Sequence, residues 1–317
     1  MTELANHRGE TTPSPTEVQT PRPAFAPVLK ERVGFSVSRV WIIAGNTLTE
    51  AVRQKVFNFF LIIGLIFIAS ASFFAQFTFG EQLKFIKDTC LGVISVISTL
   101  IAIVGTAQLL PSEVENRTIY TILAKPVRRI EFLLGKFLGS LSLLTISIAA
   151  MCLLFGAVLF IKEQGMIREL RQEFTQGMPA SDMADLNQQI RQVPQETFDV
   201  NLVKAVLAEL MKATLVAAIT LLISTFSTSL VFNVAVPFMI FVAGMLRGAA
   251  AEVWADRRIL MALLAVVPDF GFFSLADEIN MGNVVPWSHV GQILVYGVAR
   301  TVVIVFAAHL IFSRREI

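Results

Sequence analysis

From about residue 56 the chain alternates apolar blocks about twenty residues long with shorter polar stretches, and this alternation predicts the architecture. A helix needs about 20 mainly apolar residues to cross about 30 Å of hydrocarbon. Six blocks meet that requirement: about Val56 to Phe77, Cys90 to Leu110, Phe132 to Ile161, Lys204 to Phe226, Ser229 to Leu246 and Val290 to Phe312. The stretch Ala213 to Leu246 is 34 residues, about 51 Å as one helix, which is too long for one crossing. A tight turn is therefore expected in the polar run Ser224 to Asn233. The run Ile259 to Val267 has nine residues and stops at Pro268. It is too short to span and predicts a half-helix or re-entrant hairpin on the outside.

Ahead of the first span, about Phe35 to Lys55, apolar residues recur at helical spacing. Val37, Val40, Trp41, Ala44, Leu48 and Val52 take one side, while Arg39, Asn46, Glu50 and Arg53 take the other. This pattern predicts an interfacial helix, with Arg39 and Trp41 as its candidate residues. Residues 1–34 carry five prolines among polar residues, with no apolar core of a signal peptide, and are expected to be a disordered tail. The polar segment 162–203 predicts two short helices. One has Met166, Leu170 and Phe174 on a face; the other starts near Ser181 with Leu186, Ile190 and Val193.

Composition agrees with this reading. Of the 317 residues 55% are hydrophobic, 16% are charged and mean hydropathy is +0.68, whereas a soluble domain carries about 25% charge. An all-α integral membrane protein is expected; a free cytosolic enzyme, a secreted disulfide scaffold and a disordered protein are excluded. A net charge of +2 points to no nucleic-acid partner. Cys90 and Cys152 both sit in apolar blocks and read as small core residues. With six spans both termini share a side. That side holds fourteen Lys/Arg against nine acids, and the other nine against fourteen, so both termini are expected in the cytoplasm.

The chain lacks the Gly-x-x-x-x-Gly-Lys-Ser/Thr string that cradles nucleotide phosphates. It has three histidines, no His-Glu-x-x-His and no Cys-x-x-Cys, so neither a zinc site nor a bound cofactor is expected. No Ser/His/Asp set, paired aspartates or metal cluster converges within the spans, which argues against an intramembrane enzyme. Ionisable residues within spans are costly and mark functional candidates. Glu209 and Lys212 lie three apart on one face of the fourth span, close enough to pair, with Lys204 nearer its outer end. A solvated start of that span accounts for the same three charges. Arg300 lies near the middle of the sixth span. It predicts an ion pair, with Glu209 the nearest acid by depth, or a place on a transport path.

The loop between the second and third spans, Pro111 to Gly139, is amphipathic. It opens with Glu113 and Glu115, as a helix N-terminus prefers, and breaks at Pro126 before a basic pair. An ordinary positive-inside loop would account for its charge alone. The order Glu113-x-Glu115-x-x-Thr118, then Leu123-Ala-Lys125-Pro126-Val-x-Arg129 and Gly135-Lys136, with the terminal Phe312-Ser-Arg-Arg-Glu316, resembles the permease subunits of type-2 ABC exporters. The multi-copper enzyme maturation branch is most similar. Arg117 departs from it, since many members have Gly before the Thr.

The resemblance implies a cytoplasmic connecting helix, six spans, a coupling helix in the first cytoplasmic loop and an external hairpin between spans five and six. It implies that Glu113, Glu115, Arg117, Thr118, Tyr120, Leu123, Lys125, Pro126 and Arg129 meet a separate ABC ATPase subunit, which would carry the ATP and Mg. It also implies a dimer with a second permease copy or paralogue, in the cytoplasmic membrane of a bacterium, working as an exporter without a catalytic group of its own. An ATP-independent channel or assembly scaffold is the alternative, for which polar residues would line several spans; they are sparse here.

Overall fold

The computed structural model describes residues 34–78, 82–111, 128–175, 190, 193–194, 197–253, 266–275, 278–279 and 284–314. The chain divides into two units, Met1–Gly34 and Phe35–Ile317, and every helix described belongs to the second. In chain order these are α1 (Val37–Val52), α2 (Lys55–Phe74), α3 (Gln82–Ala107), α4 (Arg129–Thr175), α5 (Val200–Ser224), α6 (Leu230–Met245), α7 (Arg247–Val253) and α8 (Trp287–Arg314), with 3-10 turns at Ala75–Phe77 and Gly271–Phe273. All the regular structure among the described residues is helical.

Five helices are long and apolar enough to cross a membrane: α2 with its 3-10 turn, α3, α4, α5 and α8. The α6–α7 pair, bent by 61°, makes six if it is one crossing. This is the helical arrangement of a multi-pass membrane protein. The crossing windows of α3 and α5 are 67% buried, against 22% for α2 and 28% for α8, so α3 and α5 form the centre and the other two face outward. α5 packs on α3, α4, α6 and α8. Gly64 on α2 sits level with Ile97 on α3 and Met151 on α4.

The expected break after the fourth span is present between Ser224 and Leu230. Buried Asn233 closes it, donating its side-chain amide to the carbonyls of Ser227 at 3.3 Å and Ala107 at 3.5 Å. Two expectations for segment 162–203 fare differently. The separate helix on Met166 and Leu170 does not exist, because α4 continues through the span to Thr175 without interruption. The second, near Ser181, falls outside the described residues apart from Ile190, Val193 and Pro194. α4 is 47 residues, about 70 Å, against about 42 Å for the 28 residues of α8. Its start meets the end of α8, since the Arg129 guanidinium donates to the carbonyls of Phe312 and Ser313. Most of the expected half-helix Ile259 to Val267 also lies outside the described residues. Beyond it the Phe270 N–H donates to the Gly244 carbonyl at the end of α6.

α1 shows why its amphipathic pattern has three sectors rather than two. Val40, Ala44, Thr47 and Ala51 are buried, Val37, Trp41 and Val52 are exposed and apolar, and Ser38, Asn46, Thr49 and Arg53 are exposed and polar. At 3.6 residues per turn these sets occupy successive arcs. One face of α1 is thus seated on the bundle and the rest is exposed, with Ile42, 69% exposed, among the polar residues of the outer arc.

Candidate functional site

Two polar constellations are built from the residues singled out in the sequence. The first joins α1, the start of α4 and the end of α8. Ser36 and Arg39 meet Glu131, Ile43 meets Gly135 and Thr47 meets Gly139. Both numbers rise together, so α1 and α4 run side by side in the same direction. A Cβ built on Gly135 would lie 2.6 Å from the Ile43 Cβ, and one on Gly139 2.6 Å from the Thr47 Cβ. Only glycine at both positions lets the backbones approach this closely, the small-x-x-x-small mode of helix packing.

Glu131 locks the top of this contact. It is 0% exposed and accepts from the Ser36 N–H at 2.8 Å, the Arg39 guanidinium at 3.1 Å and the Arg128 N–H at 3.2 Å. Two of these donors are backbone N–H groups at helix starts, which a carboxylate in the first turn is placed to satisfy. Lys136, buried, reaches Glu50 of α1 at 3.4 Å and lies over the Phe132 ring. Arg129 ties α4 to α8 through the Phe312 and Ser313 carbonyls at 3.1 and 3.0 Å and stacks over the Phe312 ring. Arg39 is thus an anchor of α1, while Trp41 points outward, 62% exposed. Glu113, Glu115, Arg117, Thr118, Tyr120, Leu123, Lys125 and Pro126 lie outside the described residues. The chain enters that loop from Leu109, Leu110 and Pro111, all buried, and leaves it at the Arg128–Glu131 anchor.

The second constellation is on α5. Lys204, Glu209 and Lys212 are 4%, 7% and 1% exposed, so a solvated start of the span does not describe them. The Lys212 ammonium lies 2.9 and 2.7 Å from the two Glu209 carboxylate oxygens and donates to the Ser95 hydroxyl of α3 at 2.6 Å. Lys204 donates to the Asn201 side-chain oxygen at 3.0 Å and the Val285 carbonyl at 2.7 Å, with the Trp287 ring beneath it at 4.9 Å. These charges stitch the central helix to α3 and to the approach to α8. Burial of Glu209 and Lys212 is offset by their direct pairing, and that of Lys204 by two oxygen acceptors and the Trp287 ring. The suggested Arg300–Glu209 pair is not formed. Arg300, half-buried, lies over the Tyr296 ring at 5.5 Å, one turn back on its own helix, and Glu209 is taken by Lys212.

Sequence reasoning passed over Glu131 and Gly139. A Gly-x-x-x-Gly spacing and an acid in the first turn of a helix, both present in the sequence, are the signals that identify them. Among the described residues no group of three His, Cys, Asp or Glu side chains could hold a metal. Cys90 and Cys152 are free thiols on α3 and α4. No family model and no curated protein matches the chain.

Proposed function

We propose that this protein is the membrane-spanning permease subunit of an ABC-2 type transporter, an exporter driven by a separate ATPase subunit and assembled as a dimer of permeases in a bacterial cytoplasmic membrane. Both termini and the 112–127 loop would face the ATPase. The chain would supply a path and a lever, and ATP and Mg would bind to the partner alone.

The observation that carries this reading is the anchoring of that loop. Its entry is seated on the buried end of α3 and its exit on Glu131 and Arg129. A push delivered at Pro111 or at Arg128 would therefore reach α1, α3, α4 and α8 directly. Packed helices respond to such a push by rigid-body shifts rather than by gradual deformation, which is what rocking two membrane halves requires. The acidic start and Leu-Ala-Lys-Pro end of the loop, which resemble the coupling segment of type-2 ABC exporters, support the same reading, as does the lack of a P-loop in this chain.

The experiment is purification of the tagged chain in mild detergent from its own host. An ATP-hydrolysing subunit should copurify in stoichiometric amount. A chain that purifies alone yet restores ion or solute flux in proteoliposomes without ATP would replace this reading with the channel.

A further inference from the structure

Arg39, Arg129, Lys136, Lys204, Lys212 and Arg247 are each held by at least one oxygen atom of the chain. Arg300 differs. Among the described residues its guanidinium has the Tyr296 ring at 5.5 Å and neither a hydrogen bond nor an ion pair, although it carries five N–H donors and a permanent charge. It is half-buried, and Ala299 and Val303 beside it are exposed, so it is reached from the lipid side of α8.

Its depth makes this costly. Tyr296 lies nine residues past Trp287, about 14 Å into α8, and the guanidinium reaches back to that level. A helix of 28 residues, about 42 Å, centred on a core about 30 Å thick puts it about 8 Å inside the hydrocarbon. Ionisable groups held there pair with something and mark functional sites.

The chain breaks at the same level. α6 ends at Met245 and bends by 61° into α7, and the returning segment puts the Phe270 N–H on the Gly244 carbonyl. A Cβ built on Gly297 of α8, next to Tyr296, would lie 3.2 Å from the Phe273 ring. Two bonds fix this turn beside the arginine: Arg247 donates to the Val267 carbonyl at 2.8 Å, and the Asp269 N–H to the Tyr296 hydroxyl at 3.0 Å. Membrane carriers place binding sites where a helix is broken near the midplane.

No described acid answers the charge. Glu209 is taken by Lys212, and the Asp269 carboxylate accepts from the Phe272 N–H of its own turn at 3.3 Å. α2, α6 and α8 contain no acid, so a second copy packed through these helices brings none either.

We propose that Arg300 binds the anionic group of an amphiphile that reaches it from the bilayer, with Tyr296 holding the guanidinium in place. One arginine answers one negative charge, and a second would be stranded in hydrocarbon, so the group is a carboxylate or a phosphodiester rather than a doubly charged phosphate. Ile304 and Ala307 continue this flank of α8 with half-buried apolar side chains, which suit the ligand's apolar body. Under the transporter reading this ligand is cargo. Binding needs only the membrane setting, so its failure would leave that reading standing.

The test uses the full chain in phosphatidylcholine nanodiscs and three single-chain probes with a diazirine beside the polar end: a fatty acid, a lysophosphatidylglycerol and, as neutral reference, a monoacylglycerol. At equal mole fraction at least one anionic probe should label residues 296–304 at least about tenfold more than the neutral one, the worth of one charge-assisted hydrogen bond. The fatty acid would identify a carboxylate ligand and the other a phosphodiester. Arg300→Gln should remove the excess, Arg300→Lys should keep part of it, and Arg314→Gln, at the exposed end of α8, should keep all of it. Equal labelling by charged and neutral probes in the wild-type chain would mean that water alone attends the guanidinium and overturn the proposal. So would no labelling of 296–304 by any probe, which would mean that a protein surface covers the site. An excess that survives Arg300→Gln, or that Arg314→Gln removes, would place the anion elsewhere and overturn it as well.

Discussion

Gly139 and Thr47 stand so close that a Cβ on the glycine would lie 2.6 Å from that of Thr47 and 2.9 Å from the Ala44 carbonyl oxygen. The seat of α1 on α4 depends on that missing side chain. Gly139→Ala should lower stability by about 1–3 kcal/mol, as overpacking does, although alanine is the better helix former by up to about 1 kcal/mol. Gly156→Ala, on the same helix with open space around it, should raise stability. Thermal unfolding of the two variants in detergent gives opposite shifts if the contact is as described, and equal shifts if it is not.

The Glu131 carboxylate collects three donors, two from the start of α1 and one from the residue just ahead of α4. Glu131→Ala strands those donors and should cost about 1–3 kcal/mol. Arg39→Ala should cost less, because Arg39 is partly exposed and the two backbone donors stay satisfied. In the double variant the losses should fall short of additive, since both changes remove the same bond. Strict additivity in thermal or denaturant unfolding would contradict a shared bond.

Lys212 and Glu209 form a buried pair at the centre of the bundle. Lys212→Met leaves a carboxylate without its partner, a change worth about 3–5 kcal/mol at buried sites, and adding Glu209→Gln should recover much of the loss. Arg300→Leu should cost no more than about 1 kcal/mol, the scale of one cation–π contact, because Tyr296 is its neighbour. A loss as large as that of Lys212→Met would mean that Arg300 has a charged partner.

The excess of Lys and Arg on the side of the termini and of the 112–127 loop predicts its orientation. In intact cells, with Cys90 and Cys152 replaced by serine, a cysteine at Arg128 should resist a membrane-impermeant thiol reagent and one at Gln172 should react. Reaction at Arg128 from outside would invert the topology.

How much was legible in the sequence depends on what set each feature. Block length and a polar break set the crossings and the turn before Leu230: the turn and five helices of crossing length are present, while the fifth block, α6, is only 16 residues and reaches crossing length only together with α7. The end of the third span was misread as the end of its helix. Lys162 to Thr175 loses hydropathy but contains no proline or strong cap, and its single Gly165 costs only about 1 kcal/mol, so the helix continues. Pairing of Glu209 with Lys212 followed from their spacing of three. Pairing with Arg300 rested on depth alone, which says nothing about which way each helix faces. The close seat of α1 on Gly135 and Gly139 depends on which helix arrives, and that is a property of the fold rather than of a local pattern.

The transporter reading is tested most directly by ATP hydrolysis of the partner ATPase in proteoliposomes, measured without the permease, with the wild-type chain, and with Glu113→Lys plus Glu115→Lys. The wild-type chain should raise the rate. The double reversal should abolish the rise or the association while the chain still inserts and unfolds at its usual temperature. A rate that the wild-type chain does not change, or a rise that the reversal leaves intact, would contradict the assignment of this loop as the coupling surface.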